Sequence, residues 1–218
     1  TTGDLVFLSD QDDVWYNNKI EYMLALAVKV PDYLLYMNDA DLADANLKRV
    51  DLTKLGQIKS AGFTTDAFVM GCCCMFRRRF LDIAMPIPTA YPAHDNWLVE
   101  ISDALGRKFV EDISLQLYRR HGNNESQFIV NNLYRVTKLH VYFSMIKKLF
   151  SNNVTNYEIR LSNLQQMLDK LISAYEVSDH VERVSLVNRI SKVGASIVQL
   201  DLISKNRKRT LFQKIRFI

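Results

Sequence analysis

Apolar and polar positions follow two different rhythms along this chain, and the change falls near residue 125. In the first part, short continuous apolar runs break off in polar clusters. Leu5-Val6-Phe7-Leu8 is the first, short enough for a buried strand rather than a helix. Asn18 to Val30 follows with helical spacing, which puts Ile20, Met23, Leu24, Ala27 and Val28 on one side, and Pro31-Asp32 stops it. Tyr33 to Met37 predicts a second apolar strand, ending in Asn38-Asp39-Ala40-Asp41. Residues 42–51 read as an excursion that turns at Asn46 and returns, and residues 54–66, with Gly56 and Gly62, as loop. Ala67 to Phe76 is a third apolar run. Gly71 interrupts it, and a glycine inside a strand marks a bulge or a close approach.

Arg77-Arg78-Arg79 then opens a short helical stretch over Phe80 to Ala84, and a solvated helix start is the reading for at least two of these arginines. Pro86 and Pro88 mark a loop. The spacing predicts a helix over Trp97 to Leu105, with Trp97, Leu98, Ile101 and Leu105 on one face and Gly106 as its stop. Two short strand-like pieces, Lys108 to Val110 and Ile113 to Tyr118, close this part. Strands alternating with helices in this way predict an α/β layered domain.

From Val130 a helical period takes over. Leu133, Val136, Leu139, Tyr142, Phe143, Ile146 and Leu149 recur at helical spacing. So do Leu161, Leu164, Met167, Leu168, Leu171, Ile172 and Tyr175, and then Val184, Val187, Ile190, Val193, Ile197, Leu200 and Ile203. With breaks at Asn152-Asn153 and Ser178-Asp179, the pattern predicts three to four amphipathic helices, packed together or laid against the first part.

Charge sharpens this division. Residues 1–125 carry 13 Lys+Arg against 18 Asp+Glu, a net of −5, whereas residues 126–218 carry 15 against 6, a net of +9. The division predicts two regions, 1–125 and 126–218, that meet in the Gly122-Asn123-Asn124 turn. With 48% hydrophobic residues among 218, the chain can bury a core. No run approaches the ~20 apolar residues of a membrane span. The first 20 residues lack the basic start of a signal peptide. The consecutive Cys72-Cys73-Cys74 suits neither a disulfide framework nor a zinc site and predicts buried, reduced thiols, as in the cytosol. Lys205 to Ile218 interleaves six Lys/Arg with Leu211, Phe212, Ile215, Phe217 and Ile218. This tail suits either peripheral contact with the inner face of an anionic membrane or an ordinary basic helix end packed on the protein.

Candidate chemistry sits where apolar runs end. Ser9-Asp10-Gln11-Asp12-Asp13 places three carboxylates within four residues at the end of a strand. Such acids repel one another unless a cation neutralises them, and Mn²⁺ or Mg²⁺ with oxygen ligands is one answer. An Asp-rich turn capping the next helix is the other. His94-Asp95 and Arg119-Arg120-His121 follow later apolar segments, which would bring all three clusters to one rim of the sheet. There a carboxylate and an imidazole can hold a metal, arginines can neutralise phosphates, and Asp95, not needed for the metal, can act as a general base. Trp15 and Trp97 each stand close behind an acidic site.

The motifs FLSDQDDVW, NDADLADANLKRV, GCCCMF, HDNWL and LYRRHGNN, in this order, resemble inverting family-2 glycosyltransferases of the GT-A fold, nearest to a bacterial rhamnosyltransferase-like branch that builds cell-wall or surface polysaccharide. The resemblance runs from about Gly3 to Asn124. It implies part of a GT-A, Rossmann-like mixed sheet with flanking helices, followed by an α-helical region. It also implies a nucleotide-sugar donor, with thymidine-diphosphate rhamnose the guess from that branch, and a saccharide or lipid-linked saccharide acceptor. Asp10-Gln11-Asp12 looks like the DxD motif, with Asp12 the metal ligand and Asp10 nearer the ribose or sugar. Asp13, Arg119 and Arg120 are implied on the donor side, and Trp15, Gly71, His94 and Trp97 on the acceptor or sugar side. Asp95 falls in the place of the base, and His121 in that of the histidine that completes the metal site.

In that family a nucleotide-binding half precedes the DxD strand, and here the sequence opens on that strand. The expectation is an open strand edge, weak nucleotide-sugar binding by these residues alone, and edge pairing with a second copy. The competing class is a non-catalytic interaction module whose helical half docks a partner. A phosphotransferase or hydrolase is disfavoured because a glycine-rich phosphate loop is lacking. Nucleic-acid binding is disfavoured because no reader motif accompanies the basic residues.

Overall fold

In a computed structural model describing residues 2–89, 91–121, 129–150 and 157–215, the described residues up to His121 supply four α-helices and a curled mixed sheet. Its strands are β1 (Leu5–Phe7), β2 (Val14–Trp15), β3 (Leu35–Ala43), β4 (Arg49–Thr53), β5 (Cys74–Arg77) and β6 (Lys108–Arg119). The order is β1-β5-β3-β6-β2, with β4 paired to β3 off this path. β5 is antiparallel to both β1 and β3, while β3 and β6 are parallel. β1, β3 and β6 therefore run the same way, and their carboxyl ends reach one rim together with the start of β5. Among the described strands β1 pairs with β5 alone, so its outer edge is open.

Two helical layers cover the sheet. On one face α1 (Lys19–Lys29) buries Met23, Leu26 and Ala27 against Tyr36, Met75 and Leu115. On the other lie α2 (Lys54–Ser60), α3 (Arg78–Ala84) and α4 (His94–Leu105), joined by α5 (Lys138–Phe150), α6 (Tyr157–Val177) and α7 (His180–Ile215). One core cluster runs from Leu35, Met37 and Phe76 through Trp97 and Ile101 to Met167, Leu171, Leu186 and Val193. The expected mixed sheet, flanking helices and helical C-terminal region are all present.

Several local expectations need correction. Residues 54–60 are helix α2, not loop. Thr53 caps it by accepting from the Gly56 amide at 3.0 Å, and the buried Asp39 carboxylate accepts from the Leu55 amide at 2.9 Å. The acids after Met37 do not end the strand, because β3 continues through them and all nine of its residues are buried. Asp41 is held there by the Tyr16 hydroxyl at 2.6 Å and by Arg49 at 3.2 Å. The two late strand pieces are one strand, β6, whose register jumps at Asp112-Ile113, where Asn38 faces Glu111 and Asp39 faces Ser114. Only the end of the cysteine-bearing run, from Cys74 on, is strand, since Gly71–Cys73 form a 3₁₀ turn. The inward face of α1 is also rotated from the expected one: Ile20, Leu24 and Val28 are exposed.

The three arginines are not simply solvated. Arg77 donates to the Ala27 and Tyr33 carbonyls and the Tyr36 hydroxyl, and Arg78 donates to the Gly3 carbonyl. Arg79 forks onto Glu182 at 2.8 and 3.0 Å, docking the start of α7. Helix α4 does end at Gly106, whose φ of 68° is the left-handed conformation that glycine adopts without a Cβ clash. The three thiols are free and buried, and the α6–α7 break falls at Ser178-Asp179. The expected breaks at Asn152-Asn153 and Gly122-Asn123-Asn124 lie outside the described residues. Among the described residues no helix is long and apolar enough to cross a membrane.

Candidate functional site

The strand directions bring the predicted clusters together. The acidic turn leaves the carboxyl end of β1, and the 3₁₀ turn Gly71–Cys73 enters β5 beside it, with the Leu8 amide bonded to the Cys74 carbonyl at 3.1 Å. Helix α4 starts at the same rim with His94 and Asp95, and β6 returns to it with Gln116 and Arg119. A Cβ on Gly71 would stand 3.4 Å from Asp95 Cβ, 3.5 Å from His94 Nε2 and 3.8 Å from Leu8 Cδ1. Gly71 is thus the close approach its sequence context predicts: a bare backbone turn against the start of α4.

The three acids of the turn have different partners. His121 Nε2 lies 2.9 Å from Asp12 Oδ2, with both side chains about a third exposed or less. Asp13 accepts from the Gln116 side-chain amide and from the Arg119 backbone amide, both at 3.1 Å. Burial raises the Asp13 pKa to about 6, against the donors that favour its charged form. Burial likewise raises that of Asp10, helped by the nearby Asp12 and Asp95 carboxylates and opposed by the Cys72 thiol's hydrogen bond and by His94. Asp10, Asp13 and Cys72 each bring one ligand atom within 4.8 Å of the others. The buried Cys72 thiol is held well above its ordinary pKa, chiefly by its hydrogen bond with Cys73 and by burial, so it keeps its proton and hydrogen-bonds the carboxylates.

Two buried lysines carry no motif signal in the sequence, and one of them, Lys19, supports this rim from beneath. Lys19 is 1% exposed, and its ammonium donates to the Cys72 carbonyl at 2.9 Å and to Gln116 Oε1. It also lies 4.2 Å from the centre of the Trp15 ring, whose other neighbour is Phe7 at 5.7 Å. Because Gln116 Oε1 is taken by a cation, its NH₂ end turns to Asp13. One buried charge thereby sets the orientation of an acid at the rim. The only sequence signal was Lys19 at a helix start four residues after Trp15. Lys54 is buried behind β3, where burial and the nearby Arg120 lower its pKa to about 8, and it donates to the Val130 carbonyl and to Asn131.

The remaining predicted residues fall as follows. Asp95 opens α4, where the helix dipole favours a carboxylate, and accepts from the Asn96 amide at 2.8 Å. Arg120 folds back on Tyr118, its guanidinium 5.8 Å from that ring's centre. Trp97 is not at the surface. It is 1% exposed, its indole N–H donates to the Ala84 carbonyl at 2.9 Å, and its ring meets Tyr91 edge-on. A sugar has no access to that ring, so its expected acceptor contact is replaced by a role in anchoring α4. Trp15 is half-buried in the seam between β2 and α1.

Two groups of ligand-type atoms thus stand at the rim: Asp12 and His121 place a carboxylate beside an imidazole, and Asp10, Asp13 and Cys72 form a separate cluster. No protein-family model matches the chain, and no curated protein matches it.

Proposed function

We propose that this rim belongs to a glycosyltransferase that moves a sugar, with inversion, from a nucleoside-diphosphate donor to a saccharide or lipid-linked saccharide acceptor. The observation that carries the reading is the meeting of three sequence-distant clusters: Asp12 against His121 at 2.9 Å, with Asp10 and Asp13 alongside, and Asp95 against the bare backbone of Gly71. The order of the motifs along the chain supports the family. The same reading makes cell-wall or surface polysaccharide the product, in a bacterial cytoplasm and at the inner membrane face, with residues 205–218 as a peripheral contact. The side chains from residue 206 onward lie outside the described residues.

In this mechanism Asp95 takes the proton of the acceptor hydroxyl. The acceptor oxygen bonds to the anomeric carbon from the face opposite the diphosphate. The bond from that carbon to the diphosphate oxygen breaks, and the nucleoside diphosphate leaves with the electron pair. Asp12 and His121, aided by Asp10, would hold Mn²⁺ or Mg²⁺, which when bound offsets charge on the diphosphate. Asp13, tied to Gln116 and Arg119, keeps the acidic turn against β6. Arg119 and Arg120 stand at the end of that strand to meet phosphate oxygens.

The test is sugar transfer by the intact gene product from labelled nucleoside-diphosphate sugars to saccharide acceptors. Wild type should transfer and Asp95→Asn should not, with the same thermal unfolding for both. A wild type inactive across donors, or an Asp95→Asn protein that transfers normally, overturns the reading.

A further inference from the structure

The start of α5 presents an apolar face outward. Leu139, Tyr142 and Phe143 are 68%, 60% and 65% exposed, and residues three and four apart share one side of a helix. The two rings touch, with centroids 5.9 Å apart. The opposite side is anchored. Val136 and Val141 are buried, the Val136 amide donates to Gln57 at 2.8 Å, and the Ser60 hydroxyl donates to the Val136 carbonyl at 2.6 Å. The outward face is therefore set by the fold and does not follow from fraying. A leucine and two aromatic rings on one convex turn are far more apolar surface than scattered exposed residues would leave.

The charges around this face point to its partner. Residues 126–157 contain no Asp or Glu and carry Arg135, Lys138, Lys147 and Lys148. Arg135 and Lys138 are exposed at the mouth of the helix. A second copy meeting this face by a two-fold would bring like charges together. Exposed aromatics and leucine on a helix whose own segment carries cations and no acids match instead the boundary between headgroups and acyl chains of an anionic bilayer. An exposed helical stripe of the α/β part, Ile20, Leu24 and Val28 on α1, has Glu21 and Asp32 close in sequence and lacks this charge pattern.

We infer that Leu139, Tyr142 and Phe143 form an interfacial anchor that seats α5 on an anionic lipid surface. This contact is distinct from the tail at residues 205–218 and independent of the chemistry proposed at the rim. The test is co-sedimentation of the 218-residue chain with phosphatidylglycerol–phosphatidylcholine vesicles and with vesicles of phosphatidylcholine alone. Binding should require the anionic lipid and weaken as salt is raised. Leu139→Ser/Tyr142→Ser/Phe143→Ser, which changes only exposed side chains, should lower partitioning about tenfold or more with unchanged unfolding. A chain ending at Ser204 should keep most of the wild-type binding. Three results would overturn the inference: the triple variant binding as wild type does, removal of the tail alone abolishing binding, or the triple variant dissociating a dimer while vesicle binding stays the same.

Discussion

Two clusters of carboxylates in this molecule have opposite surroundings. At the junction of α6 and α7, Glu182 is fully buried and accepts from Arg79 and Arg107, while Asp179 accepts from Arg107 at 2.5 Å. Asp179 and Glu182 also cap each other's backbone amides at 3.1 and 2.8 Å, a reciprocal capping box at the start of α7. Here guanidinium charge meets carboxylate charge, and the Glu182 amide with Arg107 holds the Asp179 carboxyl below its usual range. At the rim, Asp10 and Asp13 are held by a thiol, a side-chain amide and a backbone amide, and burial pushes both carboxyls upward. The first arrangement is complete in itself and joins two layers. The second leaves carboxyls whose burial the surrounding donors do not offset.

Experiments on the two clusters should separate them. The largest effect is catalytic: Asp95→Asn should lower sugar transfer by roughly 10²–10⁴-fold with little change in Tm. Glu182→Ala should do the reverse, leaving transfer at low temperature intact. It should cost about 2–3 kcal/mol of stability, below the full penalty for breaking a buried pair because the freed Arg79 is half exposed and regains water. Urea unfolding reads this directly. Next, Mn²⁺ at a hundredfold over its Kd should stabilise the wild-type chain and the Glu182→Ala chain by about 2.7 kcal/mol each. Asp12→Ala should lose that gain; a Mn²⁺ response surviving this change would remove Asp12 from the metal site.

Smaller effects probe what lies beneath the rim. Lys19→Met should destabilise by about 1–3 kcal/mol, since the Cys72 carbonyl and Gln116 Oε1 lose a buried donor. It should also weaken Mn²⁺ binding, as Gln116 is freed to turn away from Asp13. The smallest effect is a pH slope. The folded pKa of Asp13, about 6, lies above its ordinary 3.8, so the folded state binds more protons in that window. Its contribution is complete below about pH 4 and is lost as pH rises through 6. Asp13→Asn should remove this fall, measured as Tm against pH. Asp179 has the opposite sign, its contribution being lost only as pH drops below the ordinary carboxyl range.

Much of the architecture was legible in the order of residues. The run Leu5 to Leu8, the helix closed by Gly106 and the break at Ser178-Asp179 depend on local periodicity and on the left-handed preference of glycine, and they appear where expected. So does the approach of a backbone turn at Gly71. Expectations failed where a distant partner overrode the local signal. Asp39 and Asp41 read as the end of a strand because acids are costly inside a sheet, yet the Leu55 amide, Tyr16 and Arg49 satisfy them there. Residues 54–60 read as loop because of Gly56, but caps from Thr53 and Asp39 make a helix. The motif position of Trp97 points to a sugar, whereas packing against Tyr91 and Ala84 puts it in the core.

By itself the sequence determined most of the helices and apolar strand runs, the burial of the cysteines and the three polar clusters that could carry chemistry, since periodicity, turn residues and composition act over a few neighbours. Only the tertiary structure decided that Asp12 meets His121, that Asp95 abuts Gly71, and that Lys19 reaches Gln116 beneath Asp13. Those pairings span from about 24 to over 100 residues of chain. They exist because β1, β3 and β6 point the same way, and strand direction is a property of the assembled sheet.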